Sequence, residues 1–344
     1  MRKQISVILL CMLLAVSLIA GCSNSRPAPA ANDPASAPGA PKELTKIKIS
    51  TIAGPSWASL FVANNEGLFA KYGLEVEFTL PGGPKGFQAM HAGECEFAML
   101  SQEPLLIAQE QGIRSKILAT MLKSRVYGII AHPDITEISQ LKGAVIFGSD
   151  PGSAPFTFTQ TVLRDGGINP DKDVTFMQMP MDAAVAGLDK GEIKAAFINI
   201  SKLPELKDLE FNTLVNTTRE ADSLKYLGND EFPAEMICTT EEYAQKNPEV
   251  CQNLVNAIIE AQLWIKDHTD REVAQSIAKD LIALPLDILA EEIAIMRDVY
   301  STDCFVSEAG QQAVIDMLVS SGVIKTNIPY ADVVDMTFVN NYGK

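Results

Sequence analysis

Residues 49–103 decide the fold, and they read ISTIAGPSWASLFVANNEGLFAKYGLEVEFTLPGGPKGFQAMHAGECEFAMLSQE. This stretch predicts a strand, a Gly-Pro-Ser-Trp turn and a helix, followed by a second strand at 74–80, a Pro-Gly-Gly-Pro turn and a short helix. A third strand, 97–100, ends at the polar residues Ser101 and Gln102. Strands that alternate with helices of this length indicate βα units and a largely parallel sheet. Ligands of open α/β sheets bind at the carboxyl ends of the strands, so the stretch predicts half of a ligand-binding cleft.

The same pattern recurs later in the chain. With a constant offset of 98 residues, Gly54 aligns with Gly152 and Ser101 aligns with Asn199. The predicted helices and strands have matching lengths in the two copies. We therefore predict an α/β fold of two similar lobes, with Ser101 and Asn199 at equivalent strand ends.

The chain begins like an exported lipoprotein. Arg2 and Lys3 precede an apolar run at 5–20, which is typical of a signal peptide. The run ends in LIAGC at 18–22, which resembles the lipobox of bacterial lipoproteins. That resemblance implies cleavage before Cys22 and a diacylglyceryl anchor on its sulfur. The alternative is an uncleaved membrane anchor, for which the run is shorter than the ~20 residues that a span requires.

The segment after the lipobox is typical of a tether. Residues 23–42 are rich in Pro, Ala, Ser and Asn and show no hydrophobic periodicity. Roughly 300 residues follow, which is enough for two domains. The formal net charge of −15, without clusters of Lys and Arg, argues against nucleic acid and a polybasic membrane patch.

The cysteines and histidines predict neither a metal site nor a cofactor. No CxxC pair occurs among the cysteines after the lipobox, which are Cys95, Cys238, Cys251 and Cys304. Disulfides are possible in an exported protein, but burial as small hydrophobic residues is the favoured alternative. The histidines have no metal or catalytic partner in the sequence pattern: His91, His132 and His268.

Three segments together resemble one protein family. They are NEGLFAKYGL at 65–74, AMHAGECEFA at 89–98, and the region from the Phe-Pro pair at 232–233 through a helix at 248–267. The family comprises the substrate-binding lipoproteins of nitrate-, sulfonate- and taurine-type ABC importers, and it includes binding proteins for thiamine precursors and aromatic carboxylates. The resemblance implies the type II periplasmic-binding-protein fold, in which two crossing strands join two lobes that close over a small molecule.

The resemblance also implies domain boundaries and partners. The expected parts are a signal peptide (1–21), the lipidated Cys22 with a linker (22–44), a first lobe (45–127 with 231–344) and a second lobe (128–230). The expected partners are a small-molecule ligand, the permease and ATPase subunits, and the membrane through the Cys22 anchor. We expect a monomer on the outer face of the cytoplasmic membrane or in the periplasm, without nucleic acid or cofactor.

Two strand-to-helix turns are the first candidates for ligand contacts. Such turns present unpaired backbone N–H groups at the positive end of a helix dipole. One turn holds Ser56 and Trp57, and the other holds Gly152, Ser153 and Ala154. Together they can hold a sulfonate, carboxylate or phosphate, although both serines are also candidates for helix caps. Trp57 is a candidate stacking platform, with core packing as the alternative.

The strand ends and crossings supply the other candidates. Ser101 and Asn199 are uncharged hydrogen-bonding groups at strand ends, and Gln102 is a weaker candidate beside them. Arg125, near the first crossing, is a candidate partner for an oxyanion, with a surface salt bridge as the alternative. Glu235, after the second crossing, would favour an amine or hydroxyl group on the ligand.

These residues predict a binding protein and not an enzyme. The predicted function is capture of a small organic anion, such as a sulfonate or aromatic carboxylate, by lobe closure for delivery to the permease. The alternatives are a thiamine-precursor pyrimidine or other heterocycle as ligand, or a sensing role beside a membrane receptor. Pyrimidine synthases of thiamine biosynthesis resemble this family, but they carry a cysteine-rich motif that the scattered cysteines here do not match.

Overall fold

The computed structural model describes residues 43–229 and 231–344. The predicted signal peptide, Cys22 and nearly all of the linker lie outside the described residues. Within the described ranges, no helix has both the length and the apolar character that crossing a membrane requires.

The described residues form ten strands, which belong to two five-stranded sheets. The strands are β1 Thr45–Ser50, β2 Leu74–Thr79, β3 Phe97–Leu100, β4 Ser115–Leu122, β5 Tyr127–Ala131, β6 Val145–Phe147, β7 Thr175–Phe176, β8 Ala195–Asn199, β9 Asn212–Asn216 and β10 Ala234–Thr240.

Helices surround both sheets. The α-helices of the described ranges are α1 Ala58–Asn65, α2 Leu68–Lys71, α3 Gly83–His91, α4 Glu103–Glu110, α5 Ala154–Asp165, α6 Met181–Asp189, α7 Glu220–Leu227, α8 Glu241–Lys246, α9 Pro248–Asp267, α10 Asp270–Ile277, α11 Leu286–Met296, α12 Glu308–Ser320, α13 Tyr330–Val333 and α14 Thr337–Asn340. Short 3-10 helices lie at Pro55–Trp57, Ile138–Leu141, Ile200–Leu206, Ala278–Asp280 and Arg297–Val299.

The two sheets share one plan. Their strand orders are β2-β1-β3-β10-β4 and β7-β6-β8-β5-β9. In each sheet four strands run in one direction, and the remaining strand enters antiparallel between the last two of them: β10 in the first sheet and β5 in the second. The chain therefore crosses after β4 and returns before β10. We call the part built on the first sheet the first lobe and the part built on the second sheet the second lobe, and the predicted two-lobed α/β fold is confirmed.

The 98-residue repeat relates these lobes. Gly83–His91 and Met181–Asp189 are helices of equal length whose bounds differ by that offset. The strand pairing is shifted by one residue between the copies, because Ile49 pairs with Phe97 whereas Phe147 pairs with Ala196. The exact lobe boundaries stay a prediction.

One predicted helix is divided. The sequence pattern predicts a continuous helix from about 58 to 71, but the structure has α1 and α2 with a break between them. Gly67 at the break has a φ of 72°, a left-handed conformation that glycine adopts without strain. The break turns α2 toward α9, so both short helices pack on that long helix.

The core of the first lobe lies between its sheet and α9. The predicted apolar face of this helix is largely buried, including Leu254, Ile258, Ala261 and Ile265, whereas Val250 is half-buried. These side chains pack toward α1 and β4. Burying a Leu or Ile side chain contributes about 1.5–3 kcal/mol, so this face anchors the C-terminal helices to the first lobe.

Gly86 lies in α3 where a side chain has no room. A Cβ atom there would lie 2.1 Å from Ser50 Oγ and 2.8 Å from the Pro81 carbonyl oxygen. We expect Gly86→Ala to lower the free energy of unfolding by about 1–3 kcal/mol, measured by urea denaturation. Lys85→Ala, at an exposed position of the same helix, is the control and should change it by less than about 0.5 kcal/mol. Equal effects of the two substitutions would contradict the steric argument.

Candidate functional site

A cavity of about 380 Å³ lies between the lobes. It opens at the carboxyl ends of β1, β3, β6 and β8, beside the points where β5 and β10 enter their sheets. Its larger apolar lining residues are Ile52, Trp57, Leu100, Tyr127, Phe147, Met179, Met181 and Phe197. Its polar and charged lining residues are Ser56, Ser101, Ser149, Asp150, Ser153, Asn199, Ser201, Lys202 and Glu235.

The turn after β1 contacts the second lobe directly. Asn199 Nδ2 donates a hydrogen bond to Ser56 Oγ at 3.1 Å, and Asn199 Oδ1 accepts one from the Ser201 amide. Ser56 does not cap a helix, since the 3-10 helix Pro55–Trp57 that contains it has no side-chain cap. Tyr300 holds this turn in place, because its hydroxyl donates a hydrogen bond to the Pro55 carbonyl at 2.9 Å. Ser56 and Asn199 thus place two polar groups where the lobes meet.

The turn after β6 combines capping with cavity lining. Ser153 caps α5 by accepting from the Phe156 amide at 3.4 Å, and its hydroxyl donates to the Asp150 carbonyl at 2.6 Å. Ser153 and Asp150 both line the cavity. Gly152, with a φ of 79°, shapes the turn but is not part of the lining, and Ala154 is fully buried beside it.

Trp57 and Ser101 line the cavity, whereas Gln102 does not. The indole of Trp57 lies over the Gly54 backbone, because a Cβ atom at Gly54 would be 3.3 Å from two of its ring atoms. Gln102 is buried, and its side-chain amide donates to the Pro233 carbonyl at 3.3 Å. Gln102 therefore connects β3 to the second crossing instead of facing the cavity.

Arg125 lies in the protein core, which corrects its predicted place at the cavity. Its guanidinium is fully buried, and its Nη2 lies 2.6 Å from Oε1 of the equally buried Glu103. The guanidinium also lies over two aromatic rings, 4.6 Å from the ring centroid of Phe232 and 5.2 Å from that of Tyr127. A buried guanidinium needs a counter-charge, and Glu103 at the start of α4 supplies it. Arg125 is therefore part of an internal ion pair beside the crossings, and not of a surface salt bridge.

Glu235 lines the cavity at the start of β10. It is 8% exposed, it has a left-handed φ of 52°, and no described residue gives its Oε2 a hydrogen bond. Burial raises the pKa of Glu235 to about 7, with nearby Arg125 opposing the rise and Glu103 adding to it. Near neutral pH this carboxyl is therefore present in both forms, and it can accept from a ligand or donate to it.

The four cysteines Cys95, Cys238, Cys251 and Cys304 are free and buried. Burial raises the pKa of the Cys238 thiol and that of Cys304, so both are neutral at physiological pH. Among the described residues, no group of His, Cys, Asp and Glu side chains is arranged to hold a metal ion.

Comparison with known proteins decides the family. Residues 54–272 match the family described as NMT1/THI5 like. The chain belongs to the NMT1/THI5-like family. This confirms the family resemblance that the three sequence segments predicted.

Several proteins are similar to this NMT1/THI5-like chain along most of its length. A protein of Bacillus subtilis (strain 168), which its name assigns to the binding of aliphatic sulfonates, is 24% identical over 96% of this chain and 95% of its own. The nitrate/nitrite binding protein NrtA of Nostoc sp. is 25% identical over 74% of this chain and 61% of its own. The alkanesulfonate-binding protein SsuA from Xanthomonas axonopodis pv. citri, solved with MOPS, has a TM-score of 0.68 at 17% identity, over 86% of this chain and 99% of its own. The last comparison shows the shared fold.

Sequence reasoning on this NMT1/THI5-like chain missed Lys202 and the aromatic lining. Lys202 lines the cavity, and its Nζ lies 2.5 Å from Glu205 Oε1. The signal for Lys202 is its position just after the carboxyl end of β8, the edge of the sheet at which ligands bind. Phe147 ends β6, so the strand-end rule could have placed it at the cavity. Phe197 lies two residues before the end of β8.

The Asn199–Ser56 hydrogen bond gives a measurable link between the lobes. We expect Ser56→Ala to lower the free energy of unfolding by about 0.5–1.5 kcal/mol. Asn199→Ala should cost more, because it also removes the acceptor for the Ser201 amide. In a double-mutant cycle by urea denaturation the two effects should couple by at least about 0.5 kcal/mol. Additive effects of the two substitutions would contradict a hydrogen bond across the lobes. So would a loss of stability in the exposed control variant Ser139→Ala that equals the loss in Ser56→Ala.

Proposed function

We propose that this chain is the extracytoplasmic solute-binding lipoprotein of an ABC importer and that it captures a small organic anion with an apolar body. The observation that carries the proposal is the cavity between the lobes, which combines an aromatic lining with polar groups from both strand-to-helix turns. The sulfonate- and nitrate-binding names of its relatives support the same class. The lipobox resemblance at Cys22 supports a membrane anchor.

The size of the cavity favours an organic ligand over a bare inorganic anion. Small-molecule sites occupy roughly 300–1,000 Å³, and about 380 Å³ lies within that range. Trp57, Phe147 and Phe197 offer flat apolar surfaces to an alkyl or aromatic body. Such contacts contribute affinity through the apolar area that they remove from water.

The headgroup would bind at the two turns, since Ser56 and Ser153 both line the cavity. The Ser56 hydroxyl accepts from Asn199, and among the described residues its own hydrogen has no acceptor. The N-terminus of the twelve-residue α5 adds positive potential at Ser153. Neutral donors and a helix dipole hold oxyanions without a cationic side chain. A sulfonate or carboxylate is therefore the favoured headgroup.

Glu235 supports a second candidate ligand. Its Oε2 has no hydrogen bond from the described residues, and a buried polar atom of this kind is costly unless a ligand satisfies it. A heterocycle with an amino group, such as a pyrimidine, would supply that donor. The two candidates differ in which residues supply the polar contact, the serines of the two turns or Glu235.

Ligand binding would act through lobe closure. A ligand that contacts both turns binds the closed form more tightly and shifts the population toward it. The permease and ATPase subunits would then recognise the closed form. A sensing role beside a membrane receptor would use the same closure, and permease and ATPase genes next to this gene would favour transport.

Calorimetry with the purified processed chain tests the ligand class. The panel contains alkanesulfonates, aromatic carboxylates, aminopyrimidines and nitrate. We expect an organic sulfonate or carboxylate to bind more tightly than nitrate, and Ser56→Ala to weaken its binding about tenfold relative to the control Ser139→Ala. Tight binding of aminopyrimidines alone would favour the second candidate, and binding of cations alone would overturn both.

A further inference from the structure

A second contact joins the lobes outside the cavity, between α11 and the 3-10 helix Ile200–Leu206. In the first lobe, α11 packs against α10 and the cavity turn Pro55–Trp57. The 3-10 helix belongs to the second lobe, because it follows β8 directly. Interactions between side chains at this contact therefore connect the two lobes.

Each lobe contributes one glutamate to this contact: Glu292 from α11 and Glu205 from the 3-10 helix. Glu292 of α11 is fully buried, and no described donor gives either of its carboxylate oxygens a hydrogen bond. The group within its hydrogen-bonding reach is the Glu205 carboxyl. Two adjacent carboxylates cannot both be ionised without strong repulsion, so one of them holds a proton and donates it to the other. Glu205 Oε1 in turn lies 2.5 Å from Lys202 Nζ, whereas Glu292 is fully buried, and burial favours its protonated form.

The charged groups of α10, which packs on α11, are already paired. From α10, Asp270 bonds to Arg297 of the 3-10 helix Arg297–Val299, and Arg271 pairs with Asp287. Glu272 of α10 bonds to the backbone amide and the hydroxyl of its own cap, Thr269. The turn Pro55–Trp57 carries no titratable group, and Tyr300 uses its hydroxyl on that turn. Besides its own burial, Glu205 and Lys202 are therefore the groups that influence the charge of Glu292.

We infer that Glu292 is a positioning residue whose proton, shared with Glu205, ties the first lobe to the second and fixes Lys202 at the cavity. Lys202 is the link to ligand binding, since it lines the cavity and bonds to Glu205. The inference goes beyond the proposed function and does not depend on which ligand binds.

The stability that this contact contributes should fall as pH rises. Burial raises the pKa of Glu292 from its ordinary 4.5 to about 8, the Glu205 carboxyl adds to the rise, and Lys202 opposes it. Between those values the native protein holds a proton that the unfolded chain has lost, so stability falls as pH rises. The last part of this loss occurs as pH passes through about 8. Above that pH two adjacent anions repel across the lobe contact.

The test compares the ligand-free processed chain at pH 7 and pH 9 by thermal unfolding and small-angle X-ray scattering. We expect the native protein to lose about tenfold in its folding equilibrium, or about 2–4 °C in Tm, and to increase its radius of gyration at pH 9. Glu292→Gln, which keeps a neutral hydrogen-bonding group, should remove most of both changes. Glu291→Gln, at the exposed neighbouring position, should behave like the native protein.

Glu205→Gln tests the same pair from the other lobe. Because the introduced side-chain amide can donate to an ionised Glu292, this variant should also flatten the pH response. A response that Glu292→Gln and Glu205→Gln leave unchanged would overturn the inference. A response in Tm with a constant radius of gyration would also overturn it, since the proton would then stabilise one lobe without tying it to the other.

Discussion

Glu103→Ala is expected to lower the free energy of unfolding by about 3–5 kcal/mol. The substitution leaves the Arg125 guanidinium buried, with 0% side-chain exposure and without its closest counter-charge. The rings of Phe232 and Tyr127 cannot replace that charge, because a cation over an aromatic face gains only about 2 kcal/mol even when desolvated. Urea denaturation followed by circular dichroism measures the loss.

A surface ion pair supplies the control for this prediction. Lys46 and Glu75 lie 3.4 Å apart on neighbouring strands with largely exposed side chains. Glu75→Ala should therefore cost at most about 1 kcal/mol. A loss of that small size for Glu103→Ala would mean that Arg125 finds another anion, and Glu235, whose pKa it already influences, is the candidate. In that case the pKa of Glu235 should fall in the variant.

The fold was predictable because its signals are local. Alternation in strands, apolar spacing in helices and glycines at element ends predicted the strands at 74–80 and 97–100 and the helix at 248–267 within one residue of their observed bounds. The 98-residue offset then predicted that the lobes are similar. The break at Gly67 was not predicted, since a glycine inside a helical pattern is compatible with both one helix and two.

The candidate site was predictable only where strand direction decides it. The carboxyl ends of parallel strands open on one edge of a sheet, and this rule placed Ser101, Asn199 and the Ser56 turn at the cavity. Arg125 lies in a short crossing, where sequence fixes its position along the chain but not the direction of its side chain. The side chain of Arg125 points into the core because the carboxylate of Glu103, which is distant in sequence, neutralises its charge there.

The interlobe carboxyl pair was beyond the reach of sequence patterns. Glu205 and Glu292 belong to different lobes, and each alone has the spacing of an ordinary helix surface residue. The packing of α11 on α10, on the turn Pro55–Trp57 and on the second lobe removes Glu292 from water. Buried carboxyl groups of this kind are recognisable from burial and partners, neither of which the sequence shows.

Glu235→Gln is expected to stabilise the ligand-free protein at pH 8 by up to about 3 kcal/mol. The folded-state pKa of Glu235, about 7, lies above its ordinary value of 4.5. Between those values the unfolded chain is ionised while the native carboxyl resists ionisation, so the native protein loses stability as pH rises. The neutral amide is free of this cost, and the advantage of the variant should shrink toward zero by pH 4.5. Urea denaturation at pH 4.5, 6 and 8 measures the difference, with the exposed Glu94→Gln as control.

A gain in stability from Glu235→Gln would indicate that the Glu235 carboxyl serves ligand binding. A carboxyl that destabilises the ligand-free protein and lines the cavity is of the kind retained for binding, because stability is commonly sacrificed at functional sites. The same variant separates the two ligand classes, since it should weaken an aminopyrimidine strongly and an organic anion little. If Glu235→Gln is instead less stable than the native protein at pH 8, the carboxylate has a stabilising partner inside the protein. Its role would then be structural, like that of Glu103, and the organic anion would be the only ligand class that the cavity favours.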